Sequence, residues 1–309
     1  MKYEMSERKT NLPSTLAVDF TNRRTFLRDG SIILLSSLAL TQDSRGTLAE
    51  PASTFSVITD LHYADKNTAG SRHYRETIRK LAEAKTVFEK TEPDFLVCLG
   101  DLIDAAADVE TELTYLSRIV KELKTIDCKK HFVLGNHCVD TLTKSEFLNG
   151  VGQEQSYYSF DLQGIHFVVL DACFKSDGTP YQRKNFDWTD PNIATEEIEW
   201  LKGDLAENEL PTIVFTHHRL DDAGVYSAKN APTVRAILKD SRQVLAVFQG
   251  HSHKNDHQVI DDIHYCTMVA MVEGSFEQSN ACSTITVYQN GSIRIQGHRK
   301  QASYEWDAS

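Results

Sequence analysis

The chain has 309 residues, of which 40% are hydrophobic and 25% charged, with a formal net charge of −11. The length exceeds one ordinary domain of ~100–200 residues but suits one large α/β domain with a short extension, and the composition excludes a largely disordered chain. The acidic balance argues against a nucleic-acid polymer as partner, because wrapping a phosphate backbone takes a basic surface. A small phosphorylated compound stays compatible wherever local metal charge outweighs the global field.

Residues 1–52 read as a signal peptide and linker. Asn22-Arg23-Arg24-Thr25-Phe26-Leu27-Arg28 precedes an apolar stretch from Ser31 to Leu40, and Ala49 or Ala52 offers a small residue for cleavage. The stretch resembles a bacterial twin-arginine signal, so export to a periplasmic or extracellular location is expected. An apolar run of about ten residues is shorter than the ~20 that span a bilayer, and no stable membrane anchor is expected. The first of six cysteines is Cys98, and none forms C-x-x-C. We expect mostly free, buried cysteines, with Cys266 and Cys282 the first pair to examine for a disulfide.

Residues 53–300 read as one catalytic domain and 301–309 as a tail. Thr54–Thr59, Phe95–Leu99 and His131–Leu134 are short apolar runs of the buried-strand kind. Between them, 73–90 and 109–123 carry apolar residues at helical spacing, giving βαβαβ. Tyr157–Phe160 and Ile165–Leu170 predict a hairpin through Gly164, and Glu196–Leu205 an amphipathic helix. Thr212–Phe215 and Val244–Phe248 predict further strands. Asn290-Gly291 predicts a type I′ turn between Thr284–Tyr288 and Ile293–Gln296. The order fits an α/β fold with two mixed β-sheets packed together and flanked by helices, a four-layer sandwich.

Five polar groups stand at the ends of predicted strands: Asp60-Leu61-His62, Gly100-Asp101-Leu102-Ile103-Asp104, Gly135-Asn136-His137, Thr216-His217-His218 and Gly250-His251-Ser252-His253. Any one of them alone is an ordinary turn. Together, carboxylate, amide oxygen and imidazole suit Mn, Fe or Zn, and such a site needs no cysteine. Their order and content resemble the calcineurin-like metallophosphoesterase superfamily over about residues 54–298.

The resemblance implies two divalent ions, one on Asp60, His62 and His253, the other on Asn136, His217 and His251, with Asp101 as bridge. It further implies attack on phosphorus by a metal-bridging hydroxide, His137 as proton donor to the leaving oxygen and Asp104 as the carboxylate that orients it. His218 is a candidate substrate contact. The superfamily usually places an acid directly after Gly-Asn-His, whereas this chain has Cys138.

Asp60 to Arg75, with Tyr63-Ala64-Asp65, Arg72, Tyr74 and Arg75, is also similar to manganese-dependent ADP-ribose/CDP-alcohol diphosphatases, which commonly carry Gln where His62 stands. In Phe174–Pro191, Tyr181, Arg183, Lys184, Phe186 and Trp188 have the composition of a loop that stacks a base and holds a second phosphate. The leading expectation is hydrolysis of small phosphomonoesters or phosphodiesters. A nucleotide diphosphatase is the second, and an exported metal-binding protein without turnover the third.

Overall fold

A computed structural model describes residues 49–222 and 224–308, together with the backbone of 27–28 and 31–32. The chain divides after residue 48 into two units. In the first, the described residues form an antiparallel ribbon of β1 (Leu27–Arg28) and β2 (Ser31–Ile32). The rest of the expected signal before Ala49 lies outside the described residues.

The second unit holds two six-stranded mixed sheets. One runs in the order β14-β13-β12-β3-β4-β5, formed by β3 (Pro51–Ile58), β4 (Phe95–Cys98), β5 (Lys129–Phe132), β12 (Ala281–Tyr288), β13 (Ile293–Arg299) and β14 (Tyr304–Trp306). The other runs β10-β11-β9-β8-β7-β6, from β6 (Tyr158–Leu162), β7 (Ile165–Val169), β8 (Thr212–Phe215), β9 (Val244–Gln249), β10 (Asp256–Ile260) and β11 (Ile263–Thr267). β3, β4 and β5 are parallel neighbours, and so are β7, β8 and β9. Helices α1 (Thr77–Thr91), α2 (Val109–Leu123) and α3 (Lys144–Val151) cover the first sheet, while α4 (Thr195–Glu207) and α5 (Ala231–Ser241) cover the second. This is the expected four-layer sandwich.

An aromatic core joins the sheets. Phe55 stacks on Phe95 with centroids 5.1 Å apart and meets Phe167, Phe215 and Phe248 edge-on at 5.7, 5.5 and 5.8 Å. All five are buried, and such rings cost ~3–5 kcal/mol each when cut to alanine. These contacts hold the functional site together, because its residues come from both sheets.

Several boundaries differ from expectation. The third strand begins at Lys129 rather than His131, as an edge strand that carries charge, a common guard against edge pairing. The supposed tail contributes edge strand β14, whose Trp306 is buried against Phe248 at 6.2 Å. At the Asn290 hairpin only Gly291 takes a positive φ, 86°. The turn is therefore not type I′: the Gly291 N–H donates to Tyr288 O, and Asn290 Oδ1 accepts from Ser292 N and Oγ. Cys266 and Cys282 are both free and buried, as are Cys98, Cys138 and Cys173; Cys128 is free and half-buried. Among the described residues no helix is long and apolar enough to cross a membrane.

Candidate metal centre

The strand-end groups converge at the carboxyl ends of the parallel strands, where open α/β sheets place ligand sites. Asp60 and His62 follow β3, Asp101 and Asp104 follow β4, and Asn136 and His137 follow β5. His217 and His218 follow β8, and His251 and His253 follow β9. Asp60, His62, Asp101, His251 and His253 all have positive φ, between 43° and 68°. Left-handed backbone at non-glycine residues is costly, and its concentration on five residues of one cluster marks a functional site.

Neighbouring glycines permit the convergence. At Gly100, φ is +98° and a Cβ would fall 2.2 Å from His217 Nδ1; at Gly135 it would fall 2.2 Å from Asp101 Oδ1.

Two clusters share Asp101. In the first, His253 Nε2 is 3.3 Å and His62 Nε2 3.7 Å from Asp60 Oδ1. In the second, His217 Nε2 is 3.2 Å from Asp101 Oδ2, with His251 in the same group. Asp101 Oδ2 also lies 3.5 Å from His62 Nε2, so this one oxygen stands between the clusters.

The remaining carboxylate oxygens are held elsewhere. Asp60 Oδ2 accepts from Thr59 Oγ1 at 2.6 Å, and Asp101 Oδ1 accepts from His137 N at 2.8 Å. His217 Nδ1 meets Leu99 O at 2.9 Å, and His253 Nδ1 meets Glu273 Oε1 at 2.6 Å. Each such contact turns the opposite ring nitrogen inward, as outer partners do for metal-ligating imidazoles.

The donor set fits two divalent ions. Asp60 Oδ1, both amide atoms of Asn136, His217 Nε2 and His251 Nε2 are buried without hydrogen-bond partners. Orphaned buried polar atoms are rare and costly, and Asp60, His217 and His251 belong to groups whose ligand atoms lie within 4.8 Å of one another, close enough for bonds of ~2.0–2.2 Å to one enclosed metal.

The electrostatics agree. Burial opposes ionisation of Asp60 and Asp101, yet the surrounding histidines hold both carboxyls well below their usual range. Burial pushes His62 down to about 4 and His251 to about 3. His217 and His253 rise to about 9, because Asp101 and Asp60 outweigh the burial.

His137 and Asp104 form a separate pair, with Nδ1 and Oδ1 3.2 Å apart. His137 also lies close enough to His62 and Asp101 to be counted with them as a third group. Glu112, buried on α2, ties the two loops together by accepting from Ala106 N at 2.8 Å and from Thr141 N and Leu142 N at 3.2 Å. Cys138 is buried and its Sγ accepts from Leu102 N at 3.4 Å. Burial pushes its thiol pKa upward, so the position of the missing acid is filled by a neutral group.

His218 is fully buried, its ring 4.5 Å from that of His251, and so does not face a substrate.

A cavity of about 420 Å³ opens over the clusters, lined by Arg72, Asp101, Asn136, His137, Phe186, Trp188, Tyr226, His251 and His253. A larger one, about 730 Å³ between α2, β5 and the segment after α3, contains none of the strand-end residues.

Of the expected aromatic loop, Phe186 and Trp188 reach the smaller cavity. Tyr181 is instead buried, its hydroxyl donating to Asp187 O at 2.6 Å, and Arg183 is spent on Glu146 at 2.7 and 2.6 Å. Tyr226, Glu273 and Glu112 escape sequence reading, since each acts on a residue distant in the chain and carries no local signature.

A family model for calcineurin-like phosphoesterases matches residues 53–255. The chain belongs to that family and is accordingly a metal-dependent phosphoesterase. It is 31% identical over 315 residues to a manganese-dependent ADP-ribose/CDP-alcohol diphosphatase of Xenopus tropicalis, covering 79% of this chain and 91% of that protein. The corresponding protein of Oryza sativa subsp. japonica is 25% identical over 272 residues, covering 72% of this chain and 85% of its own. The fold matches a solved dimetal phosphatase from Danio rerio with a TM-score of 0.74 at 18% identity, covering 84% of this chain and 100% of that one.

Proposed function

We propose that this phosphoesterase cleaves the phosphoric anhydride of small nucleoside diphosphate compounds. Asp60, His62 and His253 would hold one divalent ion, Asn136, His217 and His251 the other, and Asp101 would serve both. The observation that carries the choice of substrate is the rim of the cavity. Trp188 and Tyr226 are 46% and 40% exposed, with ring centroids 6.0 Å apart. Exposed paired rings beside a polar centre suit a nucleobase, which stacks on aromatic side chains. The two diphosphatase relatives, named for ADP-ribose and CDP-alcohols, support the same substrate class.

Bound divalent ions would neutralise phosphoryl oxygens and supply a nucleophile from water at neutral pH. The protein's own groups do the rest. Arg72 lines the cavity, its Nη1 paired with Asp104 Oδ2 at 3.9 Å, where its guanidinium can take a second phosphate. Asp104 holds His137 by one ring nitrogen and leaves the other for the leaving oxygen.

The test is a manganese-supplemented panel of ADP-ribose, a CDP-alcohol, a cyclic nucleotide and glycerol phosphate. We expect kcat/KM to be highest for the two diphosphates. Trp188→Ala and Tyr226→Ala should each raise KM for these ~10-fold, within the ~1–3 kcal/mol that a stacked base contributes, and leave glycerol phosphate unchanged. A preference for glycerol phosphate, indifferent to both rings, refutes the assignment.

The Arg23-Arg24 pair supports export of the chain as a folded protein. Arg23→Lys with Arg24→Lys should leave the precursor in the cytoplasm, and an unchanged extracytoplasmic yield excludes this route.

A further inference from the structure

Lys80 lies on the inward face of α1 among Thr77, Leu81, Ala84 and Phe88, and it is fully buried. An ammonium is expensive to take out of water unless donors and acceptors match. Here they do: Nζ donates to Met271 O at 2.7 Å, Glu273 O at 2.9 Å and Gly274 O at 2.7 Å, using all three protons. Packing alone does not explain the choice, since an apolar side chain of similar length would fill the slot without the desolvation cost. The acceptors explain it, because three carbonyls of one short segment point at the same place.

That segment supports the metal centre from beneath. Met271 N donates to Thr59 O at 3.0 Å, and Val272 N donates to Asp60 O at 3.1 Å. Glu273 holds His253 Nδ1 at 2.6 Å. Gly274 N donates to Ser71 O at 2.7 Å and His73 N to Val272 O at 3.0 Å, bracketing Arg72. The segment thus fixes the backbone of Asp60, the ring of His253 and the approach of Arg72. None of these contacts involves the His217 and His251 cluster.

We propose that Lys80 is a positioning residue for the ion held by Asp60, His62 and His253, acting by pinning residues 271–274; this rests on the two-ion reading given above. The ammonium gathers the carbonyls and sets the backbone from which Glu273 reaches His253. Loss of the ammonium frees the carbonyls, loosens the segment and lets the imidazole of His253 turn away from Asp60. The other ion, held from β5, β8 and β9, keeps its support.

Metal-stripped wild type and Lys80→Met are titrated with Mn²⁺ by calorimetry, and amide hydrogen exchange is followed in the metal-free proteins. Wild type should bind two ions. Lys80→Met should bind one ion with unchanged affinity and the other ~10–100-fold more weakly, the usual effect of losing an outer-shell support. Exchange should accelerate at Met271, Val272 and Gly274. Lys80→Met combined with Glu273→Gln should lose little more than either alone, since both act through His253.

If Lys80→Met does not fold, Lys80→Arg keeps the charge while altering its reach and should show the same one-ion loss in smaller degree. Two ions bound with wild-type affinity, or both weakened equally alongside a lower Tm, overturn the role of Lys80. Fewer than two ions in the wild type overturns the two-ion reading itself.

Discussion

Asp101→Asn should lower activity at least ~10²-fold, beyond what changes outside the coordination shell of a metal site bring, and should leave protein purified with manganese short of its full metal content. The argument lies in which oxygen does what. Asp101 Oδ1 accepts the His137 N–H at 2.8 Å, and the substituted amide oxygen can keep that bond. The other atom then becomes NH₂, aimed between His62 Nε2 and His217 Nε2, which stand 3.5 and 3.2 Å from the native Oδ2. Protons would point where two cations have to be shared, and one of only two carboxylates in the metal set would lose its charge. Metal content by mass spectrometry, taken with turnover, checks this. Wild-type turnover with one ion per chain in Asp101→Asn would sink the bridging role.

The residues that gather in the candidate centre were legible because each follows a short run of buried apolar residues, so strand pattern and polar motif marked the same places. Phe95–Cys98 is buried along its whole length and runs into Gly100-Asp101, and Thr212–Phe215 runs into His217 in the same way. The supports were not legible. Lys80 reaches residues more than 190 positions away, and a lysine at helical spacing reads as solvent-facing until the three carbonyls are seen.

Composition also misjudged direction. Tyr181, Arg183 and Trp188 share one loop, but only Trp188 faces the cavity, because Glu146 on α3 captures Arg183 and the core takes Tyr181. α3 itself went unseen despite its capping box of Thr143 and Glu146, since an eight-residue helix offers too few turns for a periodic signal. Helix α5 and the β10–β11 hairpin were likewise missed.

His137→Ala should separate substrates by their leaving groups. His137 Nδ1 stands 3.2 Å from Asp104 Oδ1, and its ring stands in the cavity 5.6 Å from that of Phe186, beside the clusters. Burial opposes protonation of the imidazole, but Asp101 and Asp104 outweigh it and move its pKa upward, the direction a proton donor needs. An alkoxide needs that proton as the P–O bond breaks. His137→Ala should therefore slow alkyl phosphate esters by ~10²–10⁴, the range of general acid catalysis. A nitrophenolate or a phosphate leaves as a stable anion, so aryl esters and diphosphates should slow much less. Asp104→Asn should reproduce the pattern more mildly, because it disturbs the orientation and basicity of the imidazole and leaves it in place. Rates for alkyl, aryl and diphosphate substrates, measured at unchanged metal content, decide the matter. An equal loss on all three would mean that His137 stabilises charge on the phosphoryl group and delivers no proton.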